Sequence, residues 1–565
     1  MRRVIAPIVL VFLAGIATAS LAKASTPSDD ALEADSAISA DRLEHIVRTL
    51  ASDAFEGRAP GTAGEDKTVA FLIEQMKAIG LEPGGGAGLW TQAVPMMRTV
   101  VQSPMTMSFS GPEGSLSLEQ GVTASIDTAT GLDQVLVKKA PVVFVGFGAH
   151  APEQDWDDYG DIDLTGKVAL FLVNDPDFAA APDEPVAGRF GNRRMTYYGR
   201  WAYKYEEAAR RGAVGALVIH ETQAAGYGWS VAAAGAGENV SLANKNPALP
   251  PVSFQGWLHN DAATTLLAQA GRNLDDLRIA ARSDNFSAFE LEGITLSTDL
   301  SVDVSRFNSR NVLGRLPGKV RPDETIMVSA HWDAYGVGAP DQDGRTVRAG
   351  ANDDALGSAG VLEIARVLKA AGGLERTVVF AFWTAEEAGL VGSMAYAADP
   401  VFPLETTVAN FTLDILQTAG AANDVILVGK GQSELEDDLA RLASTQGRYV
   451  TEENLPENGL FYRADHFSMA RAGVPVLLIM GIAGGADLVE GGREAGDQWI
   501  ADYVGNCYHK PCDSWSPDWD LTGAIQDIEL FRTMITELGN SPRWPQWKPG
   551  SEFKAIRDSS TTLRQ

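Results

Sequence analysis

Residues 383–393, "WTAEEAGLVGS", end an apolar run, "TVVFAFW", on two adjacent carboxylates, Glu386 and Glu387. Other apolar runs end in the same manner. His331 and Asp333 follow "TIMVSA", and Asp353 lies in "GANDDALGSAG" directly before a helical pattern. Asp414 closes "VANFTL", and His509 sits in "CYHKPCD", in the loop after "GVPVLLIMG". Singly, each has an ordinary explanation: a polar strand end, acids complementing a helix dipole, a surface histidine. Jointly they put two imidazoles and three or four acids at one edge of one expected sheet.

Nitrogen plus carboxylate oxygen, without thiolate, suits Zn²⁺, with Mn²⁺ or Co²⁺ as competitors. Five ligands, His331, Asp353, Glu387, Asp414 and His509, exceed what one open catalytic zinc uses. They match two cations about 3.5–4 Å apart that share a bridging carboxylate, a pair able to activate water and clamp a tetrahedral intermediate. The short side chain of Asp353, offered from a turn, suits the bridge. Such a hydrolase also needs a carboxylate free of metal to take the proton of the water. Neighbouring residues at a strand end point in different directions, so Glu387 can reach a metal while Glu386 faces the water. Burial and nearby acids raise the expected pKa of Glu386, partly offset by the cations.

These residues need a scaffold that brings strand ends together. From about residue 300, "ETIMVSAHWDA", "RTVVFAFWTA", "TVANFTLDIL" and "GVPVLLIMG" read as short buried strands, with helical patterns such as "GSAGVLEIARVLKAAGG" between them. That alternation predicts an α/β fold, a mainly parallel sheet sandwiched by helices, with ligands gathered beyond the carboxyl ends of the strands. Residues 41–83 read as helix, loop, helix: Thr62 and Glu65 have capping-box spacing, Val69, Leu72, Ile73 and Met76 share a face, and Gly80 is a stop. Short alternating strands follow at 95–130. A separate small α/β unit is expected at 135–290, from "APVVFVGFG", "GKVALFLVND" and "RWAYKYEEAARRGAVGALVIH". Its His150 and His220, together with His259, are scattered and read as structural. The division is therefore 35–134 and 291–545 for the main unit, 135–290 for the insert, and 546–565 for a loosely attached tail.

The N-terminus has a basic start (Arg2, Arg3), an apolar stretch from Val4 to about Ile16 and a small-residue site at Ala22-Lys23-Ala24, the pattern of a signal peptide over 1–24. No later run is long enough to span a bilayer, so the expectation is an exported protein, periplasmic or extracellular, with no stable membrane anchor after cleavage. Removing Arg2, Arg3 and Lys23 takes the formal charge from −28 to −31. That surface repels nucleic acid. The two cysteines, Cys507 and Cys512, favour a short disulfide in an exported chain, with free thiols as the alternative. Nothing here reads on oligomeric state.

Residues 40–540 resemble the co-catalytic zinc aminopeptidases and glutamate carboxypeptidases of peptidase family M28, whose relatives include transferrin receptors. "SAHWDAYG", "GANDDALGSAG", "WTAEEAGLVGS", "LDIL", "YRADHFSMARAGVPVLLIMG" and "YHKPCD" carry the resemblance, in the family's order. It implies a zinc-exopeptidase fold with two Zn²⁺: His331, Asp353 and Asp414 on one, Asp353, Glu387 and His509 on the other. It further implies Glu386 as general base and then acid, Asp333 orienting the His331 imidazole, and Tyr508 hydrogen-bonding the developing oxyanion. Arg463, Asp465, His466 and Phe467 would rim the substrate pocket. The insert is similar to a protease-associated domain, which in family members can cover the cleft. The expected activity is removal of N-terminal residues from peptide substrates by a metal-bridged hydroxide. A carboxypeptidase or dipeptidase of the same family is the alternative; a single-zinc glutaminyl cyclase and an inactive receptor-like binding protein stand further off.

Overall fold

The structure, a computed structural model, describes residues 37–243 and 250–564; the signal-peptide reading of 1–24 falls outside the described residues. The first helix, α1 (Ala40–Leu50), starts where Ser39 accepts a hydrogen bond from Arg42 N–H, and it buries Leu43, Ile46, Val47 and Leu50. The second, α2 (Ala63–Ile79), is capped by Thr62 and stops at Gly80, whose φ of 86° only glycine adopts readily. The reciprocal half of the expected capping box is displaced. Glu65 accepts from Gly61 N–H at 2.6 Å, one residue earlier, because its other contacts, Ser309 and Arg310, pull it toward the sheet.

Seven strands organise the rest: β1 (Thr91–Val101), β2 (Gln134–Phe144), β3 (Phe289–Leu316), β4 (Arg321–His331), β5 (Arg376–Trp383), β6 (Thr407–Leu413) and β7 (Val476–Ile479). The order β7–β6–β4–β5–β3 forms the main sheet. Its four central and edge members from β7 to β5 run parallel, while β3 pairs antiparallel to β5 and β1 antiparallel to β3. This is a mixed sheet with flanking helices. Every residue of β5 and β6 is buried, as expected of strands covered on both faces. Helix α3 (Leu356–Ala370) links β4 to β5, and α4 (Thr522–Gly539) packs beside it, with Phe531 against Phe411 of β6. Gly360 sets the closeness of α3 to the sheet: a Cβ there would lie 2.7 Å from Leu413 Cδ1. That approach brings the start of α3 next to the end of β6.

The strand β3 is 28 residues long and belongs to two sheets. Its second half pairs with β1 and β5, while its first half pairs with β2 and with the strand Thr106–Gly111. The second sheet has its own apolar cores on either face, around Phe109, Phe144 and Leu170, and around Phe171, Val218 and Trp257. Residues 106–127, placed with the main unit by sequence, pair into this second sheet, and position 290/291 falls inside β3. Alternation marks a strand without saying which sheet it joins. His220 packs among Tyr227, Trp229 and Trp257, and His259 caps the helix Asn260–Gln269.

The C-terminal stretch is not a loose tail. Trp547 and Phe553 are buried, Trp547 donates from its indole to Gly473 O at 2.8 Å, and buried Arg557 donates to Thr407 O at 2.9 Å. Two aromatic side chains and a guanidinium supply enough contact to dock a segment that is polar elsewhere. No helix among the described residues is long and apolar enough to cross a membrane.

Candidate metal centre

The side chains singled out by sequence lie at strand ends. His331 is the last residue of β4, Asp414 directly follows β6, and Glu386 and Glu387 come shortly after β5. Asp353 sits in the turn 351–355 that leads into α3. Three of these loops hold a non-glycine residue in the left-handed region: Ala385 (φ 52°) before Glu386, Ile415 (φ 55°) after Asp414, and His509 itself (φ 62°). Such conformations cost of order 1–3 kcal/mol each and persist where the surroundings over-determine them, commonly at functional sites.

The surroundings are specific. Asp513 accepts the backbone N–H groups of Asn352 and Asp353 at 3.0 and 3.1 Å, and Asn352 Oδ1 accepts Leu416 N–H at 3.1 Å. The Asp353 turn is thereby tied to both the His509 loop and the Asp414 loop. Buried Asp354 accepts from His331 N and Gly357 N. Fully buried Arg58 donates to the carbonyls of Leu50, Trp332, Ala349 and Gly350 at 2.5–3.1 Å, so one guanidinium pins the loops after His331 and before Asp353.

Within this frame Asp353 faces two imidazoles. His331 Nε2 is 3.1 Å from Asp353 Oδ1, His509 Nε2 is 3.3 Å from Asp353 Oδ2, and His509 Nε2 is 3.4 Å from Glu387 Oε2. The sets His331–Asp353–Asp414 and Asp353–Glu387–His509 each offer three ligand atoms within 4.8 Å of one another, as does His331–Glu386–Glu387. A tetrahedral zinc with nitrogen and oxygen ligands at 2.0–2.1 Å separates them by about 3.3–3.4 Å. The residues present therefore fit a pair of cations sharing Asp353. The ring nitrogens turned away from Asp353 are also held. His331 Nδ1 is 3.1 Å from the Asp333 carbonyl oxygen and 3.6 Å from its carboxylate, so the backbone of Asp333 is the nearer partner. The carboxylate of Asp333 instead accepts Glu386 N–H at 3.1 Å. His509 Nδ1 is 2.9 Å from the hydroxyl of Tyr335.

The electrostatics are those of acids crowded together out of water. Desolvation, then the negative neighbours Asp414, Glu387 and Asp465, push Glu386 well above the usual carboxylate range; desolvation and Asp353 do the same to Glu387. Asp414 rises to about 7, through burial and then Asp353 and Asp333 against the opposing pull of His331. Burial also raises Asp353, but hydrogen bonds from His331 and His509 outweigh it and leave that carboxylate depressed. Buried Asp333 Oδ2 and Asp465 Oδ1 have no hydrogen-bond partner. So much uncompensated acid in one recess is stable only if cations or protons neutralise it.

The remaining candidates divide. Tyr508 stacks on His509 with ring centroids 3.6 Å apart, and burial together with Asp353 holds its phenol protonated far beyond neutral pH. Asp465 lies close enough to be influenced by His331, Asp333 and Asp414, and burial lifts it to about 8. His466 and Phe467 do not rim a pocket. Both are buried, His466 against Phe461, and Phe467 among Tyr197, Tyr462 and Phe553, because the helix His466–Arg471 turns this face into the core. Burial holds the His466 imidazole neutral, down to about 3. Cys507 and Cys512, which bracket His509, are disulfide-bonded.

Arg463 is half-buried, and a partner that sequence reasoning missed stands near it. Arg200, from the second unit, is 9% exposed; burial and then the charge of Arg463 lower it to about 10. Neither guanidinium hydrogen-bonds or ion-pairs with another described residue. Arg463 also influences Asp414 and Tyr508. No sequence signal joins residues 200 and 463; only the contact between the units does. That contact includes Arg193 with Glu457 at 2.7 Å, Arg471 with Glu206 at 2.8 Å, and Tyr197 on Phe467.

The model of peptidase family M28 matches residues 311–531, the stretch that holds His331, Asp353, Glu386, Glu387, Asp414 and His509. The chain is 27% identical over 335 residues to leupeptin-inactivating enzyme 1 of Streptomyces exfoliatus, covering 58% of this chain and 70% of that protein. It is 36% identical over 114 residues to aminopeptidase NAALADL1 of Rattus norvegicus, covering 19% of this chain and 14% of the length of that relative. Among solved structures, an aminopeptidase from Aneurinibacillus sp. strain AM-1 aligns over 92% of this chain and 96% of its own, at 19% identity and a TM-score of 0.49. The family model spans the whole run of clustered candidate ligands, so residues 311–531 form a metallopeptidase region of the peptidase family M28 type.

Proposed function

We propose that this protein is an exported zinc-dependent exopeptidase that removes N-terminal residues from short peptides. The observation that carries the reading is the sharing of Asp353 between two donor sets, with Glu386 beside them. Two zinc ions held by His331, Asp353 and Asp414, and by Asp353, Glu387 and His509, would supply Lewis acidity and a water acidified toward neutral pH. Glu386, raised by its recess, takes the proton of the attacking water and returns it to the leaving amine. Its peptide N–H, anchored on the Asp333 carboxylate, fixes where that base stands. Tyr508, held protonated, donates to the oxyanion that develops on the substrate carbonyl. Asp465, acidic and unpartnered at one oxygen, suits a free α-amino group. Relatives named as aminopeptidases support the N-terminal preference. Export rests on the pattern of residues 1–24. The 135–290 unit, similar to a protease-associated domain and seated on the segment 457–471, is proposed to narrow the cleft and limit substrate length.

One observation favours a second reading, a carboxypeptidase or dipeptidase. Arg463, within electrostatic reach of Asp414 and Tyr508 on one side and of Arg200 on the other, has no carboxylate partner, and such a guanidinium suits a substrate carboxylate. Cleavage of an N-acetylated dipeptide against an N-terminally free aminoacyl amide separates the two. Hydrolysis of the amide alone supports the aminopeptidase; hydrolysis of the acetylated dipeptide alone overturns it.

A further inference from the structure

Tyr335 stands four residues after His331, on a loop whose ligand belongs to the other cation set, and reaches back to His509. Its hydroxyl is 2.9 Å from His509 Nδ1, with ring centroids 4.6 Å apart. The opposite nitrogen, Nε2, is the one facing Asp353 and Glu387. For Nε2 to offer its lone pair, the ring proton must reside on Nδ1 and be given to an acceptor, which here is the phenol oxygen. The phenol proton then needs its own acceptor, and the Glu387 carboxylate lines the same recess as Tyr335 and His509. The order Nδ1–H to phenol oxygen is the one that leaves Nε2 free for a cation.

The two histidines thus differ. His331 relies on a backbone carbonyl, which cannot move away or change tautomer. His509 relies on a side chain that is 40% exposed, on a turn leading into the small hairpin of Gly336–Val337 and Val347–Arg348. That hairpin is seated on the turn at Gly57, where a Cβ would lie 2.6 Å from the carbonyls of Gly336 and Arg348. The support for Tyr335 is therefore built in, and the Tyr508 ring also lies against the imidazole, centroids 3.6 Å apart.

Resting on the two-cation reading above, we propose that Tyr335 is a positioning residue for one half of the centre. It fixes the tautomer and orientation of His509, and so governs cation affinity at Asp353–Glu387–His509 while leaving His331–Asp353–Asp414 unchanged. A substrate-rim tyrosine would alter KM and neither affinity.

The test is zinc titration of the metal-stripped full chain against a chromophoric chelator, for wild type, Tyr335→Phe, Tyr335→Leu and, as the reciprocal control, Asp414→Asn. Phenylalanine keeps the ring against His509 and removes only the hydroxyl. The expected result is two zinc ions in wild type and, in both Tyr335 variants, one of the two affinities reduced by about 10–100-fold, the usual effect of losing an outer hydrogen-bond partner. Asp414→Asn weakens the other site. Two unchanged affinities in Tyr335→Phe overturn the assignment, whatever happens to KM, and so does equal weakening of both. A wild-type chain that binds no zinc overturns the metal centre itself, and this assignment with it.

Discussion

Asp353 Oδ2 lies 3.3 Å from His509 Nε2, although the two residues come from loops at opposite ends of the family-matched region. The other oxygen of the same carboxylate faces His331 at 3.1 Å. One short side chain thereby joins two donor sets, and Glu386 stands beside the junction without belonging to either of the two that share Asp353.

Replacing Glu386 with Gln removes the proton acceptor while keeping shape and leaving both Asp353-sharing sets intact. Zinc content per chain should stay at the wild-type value, and kcat should fall by about 10²–10⁴-fold, the usual contribution of a general base. Steady-state kinetics with metal analysis on the same sample checks both halves. A variant with wild-type turnover refutes the role of Glu386.

The unpaired guanidiniums make a prediction about substrates. Arg463→Gln and Arg200→Gln should each raise KM for a peptide with a free C-terminal carboxylate near the scissile bond by about tenfold or more, as for a lost charged hydrogen bond. Aminoacyl amides, which lack that carboxylate, should be unaffected. Equal effects on both substrate classes would mean that the pair only holds the two units together.

Stability of the metal-free chain should depend on pH in a definite direction. Burial, with neighbouring acids, raises Asp414 to about 7 and Asp465 to about 8, from 3.8. Between roughly pH 4 and 8 the folded state therefore binds more protons than the unfolded state, and stability falls as pH rises. Bound cations neutralise the same acids and remove the slope. Thermal unfolding of chelator-treated and zinc-loaded protein at pH 5, 6, 7 and 8 should show a difference in Tm that widens with pH. A difference that stays constant, or narrows, contradicts the assignment.

The clustering of the candidate ligands was legible in the sequence because most combine a suitable side chain with the end of an apolar strand. The different roles expected of Glu386 and Glu387 rest on their adjacency at a strand end, and the structure sets both within one donor set with His331. Arg58, Asp513, Tyr335 and Arg200 were not legible: Arg58 and Asp513 bond backbone groups, Tyr335 meets His509 from 174 residues away, and Arg200 comes from the other unit, and no local pattern marks a guanidinium that bonds four carbonyls. His466 and Phe467 show the opposite failure: they stand in one motif with Arg463 and Asp465, but a helix turns them inward. The long strand β3 explains why no loop marks the boundary expected at 290/291: one strand runs from the second sheet, where it pairs with β2, into the main sheet, where it pairs with β1 and β5.

Arg58 allows a test of that hidden framework. Its replacement by Met leaves the carbonyls of Leu50, Trp332, Ala349 and Gly350 without their donor and removes a cation from beside Asp333, Asp513, Asp354 and Asp353. The zinc-loaded variant should lose about 3–5 kcal/mol of stability, as when one side of a buried charged network is removed. Urea unfolding measures this; a loss within about 0.5 kcal/mol, typical of a surface substitution, would show that the guanidinium is not structural.

The most direct measurement is the number of zinc ions per chain in wild type and Asp353→Asn after dialysis against buffered zinc. Two ions in wild type and near zero in the variant are the predicted values, since both donor sets lose the ligand they share. A wild-type chain that takes up no divalent cation, or a variant that still holds two, would contradict the centre described here.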